Sequence, residues 1–299
     1  MITSIKRDDS ENGLDQMFGY SASDVESTQR VEVLGSGNLP KALSEYESCL
    51  DRNNDIVLRR EEEIIVQAVL DPNEISQFLL ATKVYEKRKK YQIITGEFIG
   101  KLVQNSYNYG NNNFYFDLSL NNFVRFCYTL KGYRDELINL EVKGNTKTLF
   151  CNHAKYLNTK VDGNVDDSSF QNTRDSIITV TGNCGHHFGD NSKDLTAFVV
   201  GNVGNSFRKC KYSKLIVKGN VGPYFATFAS NIKAFIGKDL KCEYGYYSNN
   251  LSFFIAGNMD ERYKRCKELL LKNDAINHPE YIANMKELDE RLAEIISRR

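Results

Sequence analysis

The chain lacks an excess of either charge. Lysine plus arginine and aspartate plus glutamate number 39 each in 299 residues, so no global field draws it toward nucleic acid or an anionic membrane. The same balance leaves little repulsion to oppose self-association. Also missing is any apolar run near the roughly 18 residues of a membrane span. The opening Met1-Ile-Thr-Ser-Ile-Lys-Arg carries no apolar stretch of a secretory signal. There is no CxxC pair; cysteines stand apart at 49, 127, 151, 184, 210, 242 and 266. Isolated cysteines in odd number, without a signal, imply free thiols in a reducing, cytoplasmic setting. A phosphate loop is incomplete too. Gly35-Ser-Gly37 follows the strand-like Val31-Glu-Val-Leu, but no third glycine opens a helix there. No cofactor is expected.

What the chain does have is a period. Gly-Asn stands at Gly144-Asn145, Gly163-Asn164, Gly182-Asn183, Gly201-Asn202, Gly219-Asn220 and Gly257-Asn258. The spacings are 19, 19, 19, 18 and 38, and a degenerate Gly237-Lys238 splits the last one. A repeat of this length marks a solenoid.

Around each glycine the apolar residues keep their places. Val142, Val161, Val180, Val199, Val217, Phe235 and Ile255 lie two before it; Thr146, Val165, Cys184, Val203, Val221 and Met259 lie two after. Further on come Phe150, Phe170, Phe188, Phe207, Phe225, Tyr244 and Tyr263, then Leu157, Ile177, Leu195, Leu215, Ile232 and Leu251. One unit cannot make a core, but stacked units place each side chain on its copy about 4.8 Å away. The glycine suits a corner needing positive φ or close backbone approach. The asparagines suit a hydrogen-bonded ladder, interrupted at Lys238. Gaps of 4, 4, 7 and 3 between Val217, Val221, Phe225, Ile232 and Phe235 do not fit the hexapeptide pattern of left-handed helices. The expected fold is mainly β, a right-handed single-stranded β-helix of about 19 residues per coil with flanking helices.

At Val180-Thr-Gly-Asn-Cys-Gly185, Val199-Val-Gly-Asn-Val-Gly204 and Val217-Lys-Gly-Asn-Val-Gly222 the chain resembles the GxGxG repeat. That repeat occurs in the C-terminal domain of the large glutamate synthase subunit and in one of the subunits of formylmethanofuran dehydrogenase. The resemblance spans residues 140–258. It implies a right-handed β-helix that holds parts of an enzyme complex together, and it carries over no catalytic residue. Aromatics and asparagine replace many of the small residues of that repeat.

The flanks read differently. Residues 1–40 are polar and acidic and suit a disordered tail. Residues 41–91 suit helices, with a fresh start at Asp71-Pro-Asn-Glu. Residues 92–139 read as irregular β coils or a cap, with Gln92–Gly100 strand-like. After the repeats of 140–258, residues 259–299 suit a helical hairpin over the last coil. One helix carries Met259, Tyr263, Cys266 and Leu270. The other, opened by Pro279, carries Tyr281, Met285, Leu288, Leu292 and Ile295, a heptad-like seam for a cap or a partner.

Chemistry is thin. Cys184, His186 and His187 form the densest set of metal-ligand types. On a strand, however, His186 and His187 point to opposite faces, and Cys184 falls in the inward column. Asp166, Asp167, Asp190 and Asp194 sit on polar corners, the places that carry catalytic carboxylates in carbohydrate-active β-helices. The leading expectation is a non-catalytic scaffold or interaction subunit of a larger intracellular assembly, with protein partners or self-association and no membrane. The charge balance argues against nucleic acid. The alternatives are a carbohydrate lyase or hydrolase and a self-polymerising cytoskeletal rod.

Overall fold

A computed structural model describes residues 5–7, 29–31, 37–52, 64–241, 243–258, 269–272 and 275–297. The chain divides into two compact units, Met1–Asn111 and Asn112–Arg299.

In the first unit, β1 (Ile5–Arg7) pairs antiparallel with β2 (Gln29–Val31), and α1 (Asn38–Arg52), α2 (Pro72–Ala81) and α3 (Tyr91–Asn108) follow. Asp71 caps α2 in a capping box: its Oδ1 accepts from Glu74 N at 2.8 Å, and Glu74 Oε2 accepts from Asp71 N at 2.9 Å. Three expectations need correcting here. The tail expected over 1–40 contains the β1–β2 pair and the start of α1. Ile64–Leu70 is irregular, not helical, because Glu45 accepts from the amides of Gln67 and Ala68 while Asn105 donates to the carbonyls of Val66 and Ala68. The strand expected at 92–100 is helix α3. Its β-branched residues pull toward a strand, but Ile94, Phe98 and Leu102 recur at helical spacing and are fully buried. Phe98 stacks on Phe78 at 5.2 Å and meets Tyr46 edge-on at 5.3 Å, and that packing overrides local propensity.

The second unit is a β-solenoid. One nine-stranded sheet runs in sequence order from β3 to β11, every neighbouring pair parallel. Its strands are β3 (Asn113–Asp117), β4 (Ile138–Lys143), β5 (Leu157–Asp162), β6 (Arg174–Val180), β7 (Lys193–Val199), β8 (Lys211–Val217), β9 (Ser230–Ile236), β10 (Asn249–Ile255) and β11 (Leu269–Lys272). Val142, Val161, Val180, Val199, Val217, Ile236 and Ile255 stand in register. Ile236, not Phe235, fills the valine place, because core volume and not the nearest glycine sets the register. Two further places shift likewise. Ser176 and Ser213 replace Ile177 and Leu215 in the column of Leu157, Leu195, Ile232 and Leu251. Each buried serine hydroxyl accepts from the amide one coil below, Leu157 and Leu195, so the column tolerates it.

The inner aromatic column is continuous. Phe126, Phe150, Phe170, Phe188, Phe207 and Phe225 are all fully buried, with successive centroids 5.1–6.2 Å apart. Met259 and Tyr263 lie outside the described residues. The corners leading into the strands use left-handed backbone: Ser168, Phe170, Asn172 and Asp175 in one coil, Tyr224, Ala226, Phe228 and Asn231 in a later one. Each such residue costs about 1 kcal/mol. Alternate amides reach opposite neighbours: Phe170 N donates to Phe150 O below, while Ser168 N and Asn172 N donate to His186 O and Asp190 O above.

The C-terminal segment departs from a helical hairpin. Leu269–Lys272, Leu270 included, is strand β11 paired to β10, and 259–268 lie outside the described residues. The second helix, α4 (Pro279–Ile296), forms as expected, and it lies along the outer side of the sheet instead of over the last coil. Thr179, Phe198, Ile216, Phe235 and Phe254 make an outward column, and Tyr281 and Leu288 pack on its apolar members with Met285 beside them. His278 meets Phe254 at 4.9 Å, Arg291 covers Phe198 at 4.4 Å, and Glu294 reaches Lys160 of β5 at 2.8 Å. Eighteen residues give about 27 Å of helix, which matches the five strand spacings, about 24 Å, from β10 to β5.

The glycine corner explains the repeat. Gly182 N donates to Gly163 O at 2.9 Å and Gly201 N to Gly182 O at 3.0 Å. A Cβ on Gly201 would sit 2.5 Å from Gly182 O. Close approach, more than positive φ, is what this corner demands. Gly201→Ala therefore lowers solenoid stability by about 3 kcal/mol in urea denaturation. The same change at Gly37, where a Cβ meets nothing within 4 Å, moves it by less than about 0.5 kcal/mol.

Candidate functional site

Four kinds of place on the solenoid could carry function: the asparagine ladder, the histidines, the corner carboxylates and the rows of exposed side chains.

The asparagines are joined rung to rung. Asn145 Oδ1 accepts from Asn164 N at 2.8 Å and Nδ2 at 2.9 Å, and Asn164, Asn183 and Asn202 repeat this toward Asn183, Asn202 and Asn220. Lys238 does not interrupt the ladder. Asp239 takes the asparagine place: its amide donates to Asn220 Oδ1 at 3.1 Å and its Oδ1 accepts from Asn258 N at 2.8 Å. The aligned dipeptide is thus Lys238-Asp239, not Gly237-Lys238.

Cys184, His186 and His187 go three ways. Cys184 is buried in the inward column between Val165 and Val203, where burial raises its thiol well above the ordinary range. His186 is exposed, and its Nδ1 accepts from Asn205 N at 3.2 Å. His187 turns toward Asp190. Among the described residues no group of three or more His, Cys, Asp or Glu is placed to hold a metal ion. The free cysteines Cys49, Cys127, Cys151, Cys184 and Cys210 are all buried; Cys242 and Cys266 lie outside the described residues.

Asp166, Asp167 and Asp190 hold backbone, while Asp194 pairs with Lys193. Asp166 Oδ1 accepts from Asp167 N at 2.9 Å, and Asp167 Oδ1 from His186 N at 2.6 Å. Asp190 is buried. Its Oδ1 accepts from Arg208 N at 2.9 Å and its Oδ2 from Arg208 Nε at 2.7 Å. Arg208 Nη2 lies 2.5 Å from His187 Nδ1. The same His187 nitrogen lies 3.1 Å from Asp190 Oδ2, so the ring touches both members of the ion pair. The triad closes a corner between adjacent coils.

The heptad-like seam is also occupied. Tyr281, Leu288 and Ile295 are buried, and Met285 and Leu292 are half-buried. The surface that Tyr281, Met285 and Leu288 meet is this chain's own sheet.

One row is invisible to a search for motifs. Lys131, Lys155, Arg174, Lys193 and Lys211 occupy equivalent places in five successive coils and pair in register. All but the half-buried Lys155 are exposed. Lys155 lies over the Tyr156 ring at 4.5 Å and Lys193 over that of Tyr212 at 5.8 Å. Beside them Asp194 lies 3.7 Å from Lys193, and Asp175 stands at the equivalent place one coil earlier. At the Lys131 end an open groove of about 660 Å³ is lined by Tyr128, Lys131, His153, Lys155, Asn172 and Arg174. Desolvation there holds the His153 imidazole below its ordinary pKa, so the ring is neutral near pH 7. Cations stacked in register destabilise a sheet by a few tenths of a kcal/mol per pair. The spacing of 24, 19, 19 and 18 residues is the one signal the sequence offers for it.

Two outcomes follow. Asp190→Ala leaves the Arg208 amide and guanidinium without their acceptor and costs about 2–3 kcal/mol in denaturant titration; Asp190→Asn, which keeps an acceptor oxygen, costs less. Arg174→Thr and Lys193→Thr each raise the thermal midpoint by about 1–2 °C, read by circular dichroism. No protein-family model, no curated protein and no solved structure matches this chain.

Proposed function

We propose that the protein is a non-catalytic platform, the rigid interaction subunit of a larger assembly. The observation that carries this reading is how the corner polar groups are used. Asn145, Asn164, Asn183, Asn202, Asn220, Asp239, Asp167 and Asp190 spend side-chain oxygens on neighbouring coils and Asp166 holds the next amide of its own coil, so these groups act as internal fasteners. A stack fastened along its corners presents fixed rows of side chains at one strand spacing, which is what a docking surface needs. The GxGxG resemblance points the same way.

The test is mass measurement on protein isolated from its own cells at native abundance. Light scattering after size exclusion should give a particle well above the 34.2 kDa of one chain, with a second component in fixed ratio. A 34.2 kDa monomer that depolymerises a glycan would overturn the proposal. A particle made of this chain alone would overturn it in favour of self-assembly.

A further inference from the structure

We propose that the row Lys131, Lys155, Arg174, Lys193 and Lys211 binds single-stranded nucleic acid. The inference rests on the platform reading and names the partner of one of its rows.

The row contradicts the logic of the valine, phenylalanine and asparagine columns. Those pair groups that attract: valine on valine, phenylalanine on phenylalanine, asparagine on asparagine. Here like charges stand about one strand spacing apart over five coils. A local rule broken at the same place in coil after coil marks a functional surface. A second row, two residues earlier in each coil, adds His153, Asn172, Asn191 and Lys209 and then ends on Phe228 and Tyr247, as the coil-to-coil amide bonds place them. Lys209 is a sixth cation, and it is exposed.

Aromatic faces accompany the charges. Tyr128 and His153 meet at 5.4 Å in the groove at one end. Tyr212, alongside Lys193, is 58% exposed. At the other end Phe228 and Tyr247 stack at 5.2 Å, yet are 54% and 69% exposed. A basic track with flanking rings is the chemistry that holds single strands: cations follow the backbone phosphates and rings take the unstacked base faces. Flexible lysine stems let the charged heads spread wider than the rungs. A duplex would present phosphates to the row but no base faces to the rings. An acidic peptide or an anionic polysaccharide would use the cations and leave the planar faces idle. The balanced net charge does not oppose this, because the field that matters is the local one.

The experiment uses the full chain and a fluorescent oligothymidylate of about 16 nucleotides, titrated by anisotropy between about 50 and 200 mM salt. Five phosphate contacts give a slope of log K on log salt near −3.5. Arg174→Gln, Lys193→Gln and Lys211→Gln together should weaken binding at least tenfold and flatten the slope by about 2. Tyr212→Ala with Tyr247→Ala should weaken binding about tenfold or more with the slope unchanged. Lys286→Gln, an exposed lysine on α4, is the control and should change neither. Thermal midpoints accompany every variant, and the cation variants should melt no lower than the parent. Absent binding, equal weakening by Lys286→Gln, or stronger competition by heparin or polyglutamate than by unlabelled oligothymidylate would overturn the assignment. Failure here with a heteromeric particle intact removes the partner class only; a glycan-cleaving monomer removes the platform reading itself.

Discussion

Everything in the solenoid depends on one distance, that between neighbouring coils. The strands fix it through parallel backbone bonds, and the rest of each coil must then close at the same spacing. At the Gly-Asn corner the backbones come so near that no Cβ fits, and the Gly201 amide bonds directly to the Gly182 carbonyl. On the opposite side the chain accepts left-handed geometry even at Phe170 and Phe207, residues with no steric liking for it. Amides that bond alternately up and down make that geometry worth holding. Identical side chains then fall on one another, and the columns follow from the spacing.

The same spacing serves opposite energetic ends. Stacked asparagines satisfy each other, and Asp239 can stand in because a carboxylate accepts the same amide. Stacked cations repel one another, and the row from Lys131 to Lys211 subtracts from stability even with Asp194 3.7 Å from Lys193. One repeat therefore carries both the fasteners that hold the object together and a row in tension with it.

Much of this is legible in the residues alone. The period, the inward valines, the phenylalanine column and the asparagine ladder all follow from spacing. The departures have physical causes. Phe235 reads as inward when glycine spacing marks the coil, whereas the interior aligns Ile236. The outward column of Phe198, Ile216, Phe235 and Phe254 is hidden because a strand covered on both faces loses its alternation of apolar and polar residues. The seam of α4 is visible but its counterpart is not, since that counterpart is spread over strands 18 or 19 residues apart. Helix α3 reads as a strand because its isoleucines favour strands when considered without Phe78 and Tyr46. The basic row is masked by an equal number of carboxylates, most of them elsewhere in the chain.

Helix α4 changes how the stack comes apart. In a column of coils that touch only their neighbours, loss of one end need not disturb the other. A single helix bonded to Lys160 in β5 and packed on Phe254 in β10 is a spanning member. Peeling the last coils means lifting the helix from the middle of the sheet as well. Coils that never meet thus share a common fate, and the frayed states open to a simple stack are denied to this one.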